Sequence, residues 1–93
     1  MEFNKYSIYT LNSGKPMTDA EKRIHEIDMI QDYNSISKYL QDMFYGDERE
    51  ELVMFYPDEN KKIITRRLEN AIEVFAFEGN KQIKAKGWRK PNR

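Results

Sequence analysis

The stretch AIEVFAFEGNKQIKAKGW, residues 71–88, decides the fold because a β-hairpin explains it best. Its first half alternates β-branched or aromatic residues with small or charged ones, which is typical of a strand. Gly79-Asn80 is a recognised two-residue hairpin turn, in which Gly supplies the positive φ of a type II′ turn. Helical spacing also fits part of the stretch. A helix would, however, put two arginines at its positive end and two glutamates toward its negative end, which the helix dipole opposes.

The register counted from this turn divides the hairpin into two faces. It pairs Glu78 with Lys81 next to the turn and Ala71 with Trp88 at the far end. One face then carries only uncharged residues and belongs on the core: Ile72, Val74, Ala76, Ile83 and Ala85. The other face mixes aromatic rings with cations, and with the basic tail it supplies the predicted binding residues: Phe75, Phe77, Lys84, Lys86, Trp88, Arg89 and Lys90. Because strand side chains have a period of two, a shift of one residue would exchange the faces.

Three interpretations of this aromatic-basic face remain open. Single-stranded nucleic acid would stack its bases on the rings while lysines contact phosphates. A protein partner, or a second copy of the chain, would also use exposed rings. Alternatively, the phenylalanines lie beneath helices, and the lysines extend to solvent at the edge. No ribonucleoprotein-type motif accompanies the face.

The N-terminal half predicts a strand and one or two helices. Residues 3–11 alternate loosely and favour a strand, and residues 12–16 contain the Gly and Pro of a turn. Residues 18–31 begin with a Thr-x-x-Glu capping box, which predicts a helix, but their poor periodicity leaves a strand open. The next segment has one apolar stripe at helical spacing, with Asp32 or Asn34 as its cap and Gly46 at its end: Ile36, Tyr39, Leu40, Met43 and Phe44.

Residues 52–65 predict two further strands. LVMFY, residues 52–56, is apolar at every position, which favours a central strand buried on both faces. PDEN, residues 57–60, predicts a tight turn, and KKIIT, residues 61–65, a return strand. The predicted fold class is therefore α+β. We expect one domain over residues 1–93, with an antiparallel sheet of about four strands, one or two helices on one face, and a flexible basic tail at residues 89–93.

The charges are unevenly distributed along a chain whose net charge is zero. Residues 1–60 hold 13 acidic and 6 basic side chains, a net charge of −7, and residues 61–93 hold 3 acidic and 10 basic ones, a net charge of +7. This asymmetry indicates either two functional faces or attraction within the fold or across a dimer. The acidic excess predicts a second binding surface, formed by Asp42, Asp47, Glu48, Glu50 and Glu51.

The sequence carries no signature of catalysis or of a metal or cofactor site. It has no cysteine, one histidine and four scattered glycines, which argues against thiolate or zinc sites and phosphate-binding loops. The adjacent acids of PDENK stand in a predicted turn, whereas nuclease carboxylates usually lie on separate strands. We therefore expect no enzymatic activity, no cofactor and no metal. With neither an apolar span nor a signal peptide evident, we also expect a cytoplasmic protein that does not enter membranes.

The leading hypothesis is a small non-enzymatic interaction or inhibitor protein that binds a host protein or nucleoprotein. The composition, rich in Ile, Lys, Asn and Tyr, is typical of AT-rich bacterial and phage genes, and small accessory proteins of phages and mobile elements often share it. Its acidic surface would engage a basic target. The alternative is a small nucleic-acid-binding protein that uses the aromatic-basic hairpin face; zero net charge weighs against it. Six Tyr, five Phe and one Trp in 93 residues also lead us to expect a homodimer.

Overall fold

The computed structural model describes residues 16–92, and in this part of the chain two α-helices precede a four-stranded antiparallel sheet. The elements are α1 (Asp19–Asp28), α2 (Tyr33–Met43), β1 (Glu51–Tyr56), a 3₁₀ turn (Pro57–Glu59), β2 (Lys61–Arg67), β3 (Ala71–Glu78) and β4 (Lys81–Arg89). The strands lie in the order β1-β2-β3-β4, so each pairs with its neighbour in sequence. The α+β prediction is confirmed. The strand predicted over residues 3–11 lies outside the described residues, as does nearly all of the turn over residues 12–16.

Local hydrogen bonds explain where the two helices begin and end. The Thr18 hydroxyl accepts from the Glu21 N–H at 3.4 Å, and the Glu21 carboxylate accepts from the Thr18 N–H at 2.9 Å, so the capping box is present and α1 is a helix rather than a strand. The Asp32 carboxylate caps α2 by accepting from the Ser35 N–H at 2.8 Å. Gly46, with φ of 81°, follows the end of α2 in the left-handed region, as predicted.

Both helices pack on the same face of the sheet and enclose the core. α1 lies against β2, and α2 lies against β3 and β4. Apolar side chains from every layer meet there: Ile27, Ile36, Leu40, Met54, Ile63, Ile72, Val74, Ala76 and Trp88. The predicted placement of helices on one face is therefore confirmed for the described residues.

The prediction that residues 52–56 form a strand buried on both faces is wrong. Among residues 16–92, β1 is an edge strand of the sheet, and its side chains alternate between buried and exposed. Leu52 and Met54 face the core, whereas Val53 and Phe55 are exposed on the opposite face. An unbroken apolar run thus marks a strand here, but its second set of apolar side chains is left uncovered by the described helices.

The hairpin prediction is confirmed, but most of its register is wrong. Gly79 has φ of 60°, and Glu78 pairs with Lys81 on either side of the two-residue turn. Phe77 still pairs with Gln82, but the register then shifts at a β-bulge that leaves Ile83 as an extra residue in β4. Ala76 consequently pairs with Lys84, Val74 with Lys86, and Ile72 with Trp88.

This one-residue shift exchanges the two sides of β4 beyond the bulge. Lys84, Lys86 and Trp88 share the helix side with Ile72, Val74 and Ala76, whereas Ala85 lies on the other side, opposite Phe75. The predicted core position of Ala85 is therefore wrong, and so is the outward position of Trp88, which is buried. The extra residue, Ile83, is 38% exposed, so the core position predicted for it is wrong too.

The first part of the basic tail is attached to the sheet. β4 continues to Arg89, and the Lys90 N–H donates to the Asn70 carbonyl at 2.6 Å.

Neither α1 nor α2 is long or apolar enough to cross a membrane, and they are the two α-helices found within residues 16–92.

Candidate functional site

The candidate site is the surface of the sheet opposite the helices, which we call the open face. Strand alternation places the following residues on it: Glu51, Val53, Phe55, Lys62, Ile64, Arg66, Glu73, Phe75, Phe77, Gln82, Ala85 and Gly87. Directly paired residues of antiparallel strands point to the same side, so these positions form three rows that cross all four strands.

The three rows differ in their chemistry. The central row runs Val53, Ile64, Phe75, Ala85 and is entirely apolar. The row on the hairpin-turn side alternates aromatic and polar residues: Phe55, Lys62, Phe77 and Gln82. The row on the opposite side alternates charge and ends in glycine: Glu51, Arg66, Glu73 and Gly87. A fully apolar stripe therefore runs between two rows that carry the polar and charged side chains.

Large apolar side chains of the open face remain accessible to solvent. Phe55 is 67% exposed and Val53 is 49% exposed, both on edge strand β1. Ile64, Phe75 and Phe77 are half-buried by their neighbours in the sheet. Contiguous apolar surface of this kind often marks a binding site on a soluble protein.

Two cations on β2 lie over aromatic rings of β3. The Lys62 ammonium lies 5.4 Å from the centroid of Phe77, and the Arg66 guanidinium lies 5.8 Å from the centroid of Phe75. Arg66 also approaches the Glu51 carboxylate at 3.7 Å. The cations therefore shield part of the rings while keeping their charge at the margins of the apolar stripe.

The structure separates the predicted aromatic-basic face into two groups. Phe75 and Phe77 lie on the open face, as predicted, but Lys84, Lys86 and Trp88 lie on the helix side. The prediction that all five share one face is wrong, because the β-bulge at Ile83 shifts β4 by one residue. Arg89 and Lys90 are exposed beyond the last row, and Arg89 pairs with Ala71.

The three displaced residues of β4 contact the C-terminal end of α1. The Lys86 ammonium donates to the carbonyls of Asp28 and Ile30 at 2.7 and 2.9 Å, and the Trp88 indole N–H donates to Ile30 at 3.0 Å. Lys84 forms an ion pair with Asp28 at 3.1 Å. Helix ends carry carbonyls without helical partners and partial negative charge, which these donors satisfy. Lys84 and Lys86 are therefore engaged within the fold.

The predicted acidic residues do not form one continuous free surface. Asp42 pairs with Lys38 at 3.3 Å, and Asp47 pairs with Arg49 at 2.6 Å. The hydrogen bonds from Arg49 lower the pKa of Asp47 to about 2. Glu51 belongs to the open face, as described above.

Glu48 and Glu50 are exposed in the connection between α2 and β1. They lie close in sequence to Tyr45, which is 96% exposed and has φ of 55°. This strained tyrosine was not among the predicted binding residues. The connection thus displays one aromatic ring and two carboxylates, a smaller feature than the open face.

Sequence reasoning missed five residues of β1 and β2 that define the open face: Val53, Phe55, Lys62, Ile64 and Arg66. A usable signal was present in the PDEN turn. Counting outward from it pairs Tyr56 with Lys61, Phe55 with Lys62, and Val53 with Ile64, which is the observed register. Val53 and Phe55 were missed because the unbroken apolar run was assigned to a doubly buried strand.

A polar cluster on the helix side joins α1 to α2. Arg23 donates to the Glu26 carboxylate at 2.8 Å and to the Tyr39 hydroxyl at 3.0 Å, and Tyr39 donates to Glu26 at 2.9 Å. Partial burial raises the pKa of Tyr39 to about 12. The cluster satisfies groups between the helices and is most simply structural. Across residues 16–92, no three acidic or histidine side chains converge in a geometry that would hold a metal ion.

Comparison with known proteins adds no family to these observations. No protein-family model, no curated protein and no solved structure matches this chain.

Proposed function

We propose that this protein is a small, non-enzymatic interaction module that binds another protein through the open face of its sheet. One observation carries the proposal: Phe55 and Val53 are 67% and 49% exposed beside the half-buried rings of Phe75 and Phe77. Removing apolar area from water contributes roughly 25 cal/mol per Å², so covering this stripe favours association.

The composition of the open face suits a protein interface. An apolar centre with a polar margin is the usual arrangement of such interfaces, and aromatic residues and arginine are enriched in them. Here the central row supplies the apolar centre. Arg66 and Glu73 supply charge at the margin, where complementary pairing selects the partner more than it adds affinity.

In this proposal, binding alone is the activity, as it is for proteins that inhibit a larger assembly by occupying its surface. The inhibitor role, the host target and the phage or mobile-element origin remain predictions from composition. The exposed connection that carries Tyr45, Glu48 and Glu50 is a second contact area suited to a basic target.

Single-stranded nucleic acid is the second candidate ligand of the same face. The placement of Lys62 and Arg66 over aromatic rings favours it, because rings that stack bases beside phosphate-binding cations are typical of such proteins. Glu51 and Glu73 in the same face oppose a polyanion. Lys84 and Lys86, which the hairpin hypothesis required, are held at the end of α1.

A matched pair of variants tests the proposal. Phe55→Thr removes the most exposed open-face ring and keeps strand propensity. Met29→Thr removes an apolar side chain that is 61% exposed at the end of α1, on the helix side. Each tagged chain is used for affinity capture from its native cells, with and without nuclease treatment.

We expect capture of a specific protein to survive nuclease and Met29→Thr and to fall several-fold with Phe55→Thr. Equal capture by the two variants would rule out the open face as the binding surface. Loss of capture on nuclease treatment, together with salt-sensitive binding of a labelled oligonucleotide by the purified chain, would promote the nucleic-acid candidate.

A further inference from the structure

The residue order within each row of the open face is self-complementary. Read across the sheet, the charged row has an acid on β1, a base on β2, an acid on β3 and glycine on β4. The apolar row has its branched and aromatic bulk on the first three strands and ends in Ala85. The open-face side chains of β1 therefore project beyond those of β4, where Ala85 and Gly87 leave a shallow strip.

A two-fold axis lying between two stacked sheets and parallel to their strands matches these features. If the axis runs between β2 and β3, it places β1 of one copy over β4 of the other and β2 over β3. Such an operation keeps each row over itself and reverses its order. Stacked sheets pack about 10 Å apart and cross at only about 30°, so the central strands keep this correspondence.

The resulting contacts are favourable in all three rows. Arg66 lies over Glu73 of the partner, and Glu73 lies over the partner's Arg66, so opposite charges meet twice. Lys62 lies over the partner's Phe77, which continues the cation–π arrangement seen within one chain. Ile64 lies over the partner's Phe75 in the apolar row.

The edge strands are complementary in size. Val53 of one copy lies over the partner's Ala85, and Glu51 lies over the partner's Gly87. Val53 and Glu51 thus fill the shallow strip on β4, and Phe55 lies over the partner's Gln82. The other in-plane axis, perpendicular to the strands, instead places Lys62 over the partner's Arg66. That arrangement brings like charges together, so the parallel axis is favoured.

From this complementarity we infer that the protein covering the open face is a second copy of the same chain, packed sheet to sheet about the axis parallel to the strands. The inference rests on the proposed function, because it names the partner of the same surface. The face spans roughly 19 Å across four strands and about 20 Å along them. That extent, roughly 400 Å² per copy, is smaller than a standard stable interface, so we expect weak, micromolar dimerisation.

A charge exchange between copies tests the inference. Arg66→Glu and Glu73→Arg each place like charges opposite each other in the homodimer, twice per dimer. When the two variants are mixed, every cross-copy pair is opposite in charge again. Within each chain, however, positions 66 and 73 keep like charges. Any effect on folding is therefore not repaired by mixing, whereas the interface is.

The measurement is sedimentation equilibrium of the full chain at micromolar concentration, with thermal melting to verify that each variant is folded. We expect the wild type to have a mass near twice 11.2 kDa. Each single variant should dimerise at least about tenfold more weakly, and the equimolar mixture should recover the dimer. A monomeric wild type, single variants that dimerise normally, or a mixture no heavier than its components would overturn the inference.

A second readout does not depend on the stability of the charge variants. The chain has no cysteine, so Val53→Cys combined with Ala85→Cys introduces the two thiols that a cross-linker can use. The two positions lie three strands apart within a chain, roughly 14 Å, but face each other across the proposed axis. A thiol cross-linker spanning about 10 Å should give covalent dimers. Cross-linking no greater than that of a Met29→Cys control would contradict the arrangement.

Failure of the inference is distinguishable from failure of the proposed function. If the purified chain is monomeric but Phe55→Thr still abolishes capture of a cellular protein, the open face binds a different protein. If the chain is monomeric and Phe55→Thr captures as well as Met29→Thr does, both proposals fail.

Discussion

The two faces of this sheet are built from the same four strands but differ in how far their apolar side chains are buried. On the helix face, Ile63 and Thr65 of β2 are fully buried, and Ile63 packs beside Met54 and Ala76. On the open face, Ile64 is half-buried between Val53 and Phe75. Alternation in a strand therefore shows that its side chains point to two different sides of the sheet, but it does not show which side the helices cover.

The largest expected difference between the two faces comes from truncating two neighbouring isoleucines of β2. Ile63→Ala should lower the free energy of unfolding by about 3–4 kcal/mol, because it opens a cavity in the core. Ile64→Ala should cost about 1 kcal/mol in the monomer, because its side chain is half-buried. Urea denaturation of both variants at a concentration too low for association measures the difference. Equal losses would mean that the open face is as well covered as the helix face.

The second largest effect concerns the lysines that the β-bulge turns toward the helices. Lys86→Met keeps the apolar stem but leaves the Asp28 carbonyl without the ammonium donor and the Ile30 carbonyl with the Trp88 N–H alone, so we expect a loss of about 2 kcal/mol. Lys84→Met removes a half-exposed ion pair with Asp28 and should cost under about 0.5 kcal/mol. Denaturant midpoints of the two variants provide the test, and the opposite ranking would contradict the observed register of β4.

These two lysines also show where sequence reasoning reached its limit. The hairpin, its turn and the helix caps follow from local chemistry, because Gly79, Thr18 and Asp32 satisfy backbone needs within a few residues. The bulge does not follow from local chemistry, since β4 alternates acceptably in either register. Burial of the large Trp88 ring and its N–H bond to Ile30 favours the shifted register, and both depend on tertiary contacts.

The open face was also predictable only in part, because its rows follow from the local turns but its exposure depends on tertiary contacts. Pairing outward from the turns gives its three rows, apart from the shift in β4. Its exposure was not predictable, because an apolar run such as residues 52–56 does not reveal which neighbours cover it. The side of the sheet was predicted correctly for Phe75 and Phe77 because β3 alternates without interruption, whereas Trp88 follows the bulge in β4.

Substitutions in the hairpin turn should have a smaller effect on stability, because the turn connects β3 and β4 without belonging to either face. Gly79 has φ of 60°, and a Cβ at this position would lie 3.1 Å from the Asn60 side-chain nitrogen. Gly79→Val should therefore cost about 1–2 kcal/mol, whereas Gly79→Asn, which tolerates positive φ, should cost less. A denaturation midpoint that Gly79→Val leaves unchanged would contradict the turn geometry.

The smallest effect should appear at high pH and on the helix side alone. The pKa of Tyr39 is raised to about 12, chiefly because partial burial disfavours its charged form. The unfolded tyrosine loses its proton near its ordinary pKa of 10.0, before the folded one does, so the stabilisation is complete below pH 10 and is lost as pH rises toward 12. Because the ring is only half-buried, solvent screening reduces the expected loss to the order of 1 kcal/mol.

The measurement is the difference between wild type and Tyr39→Phe in denaturant midpoint from pH 9 to pH 12. Tyr39→Phe should lose less stability over this range, because it has no hydroxyl to ionise beside Glu26. Parallel pH profiles for the two proteins would mean that Tyr39 ionises alike in the folded and unfolded chains, and that the polar cluster between α1 and α2 does not depend on its proton.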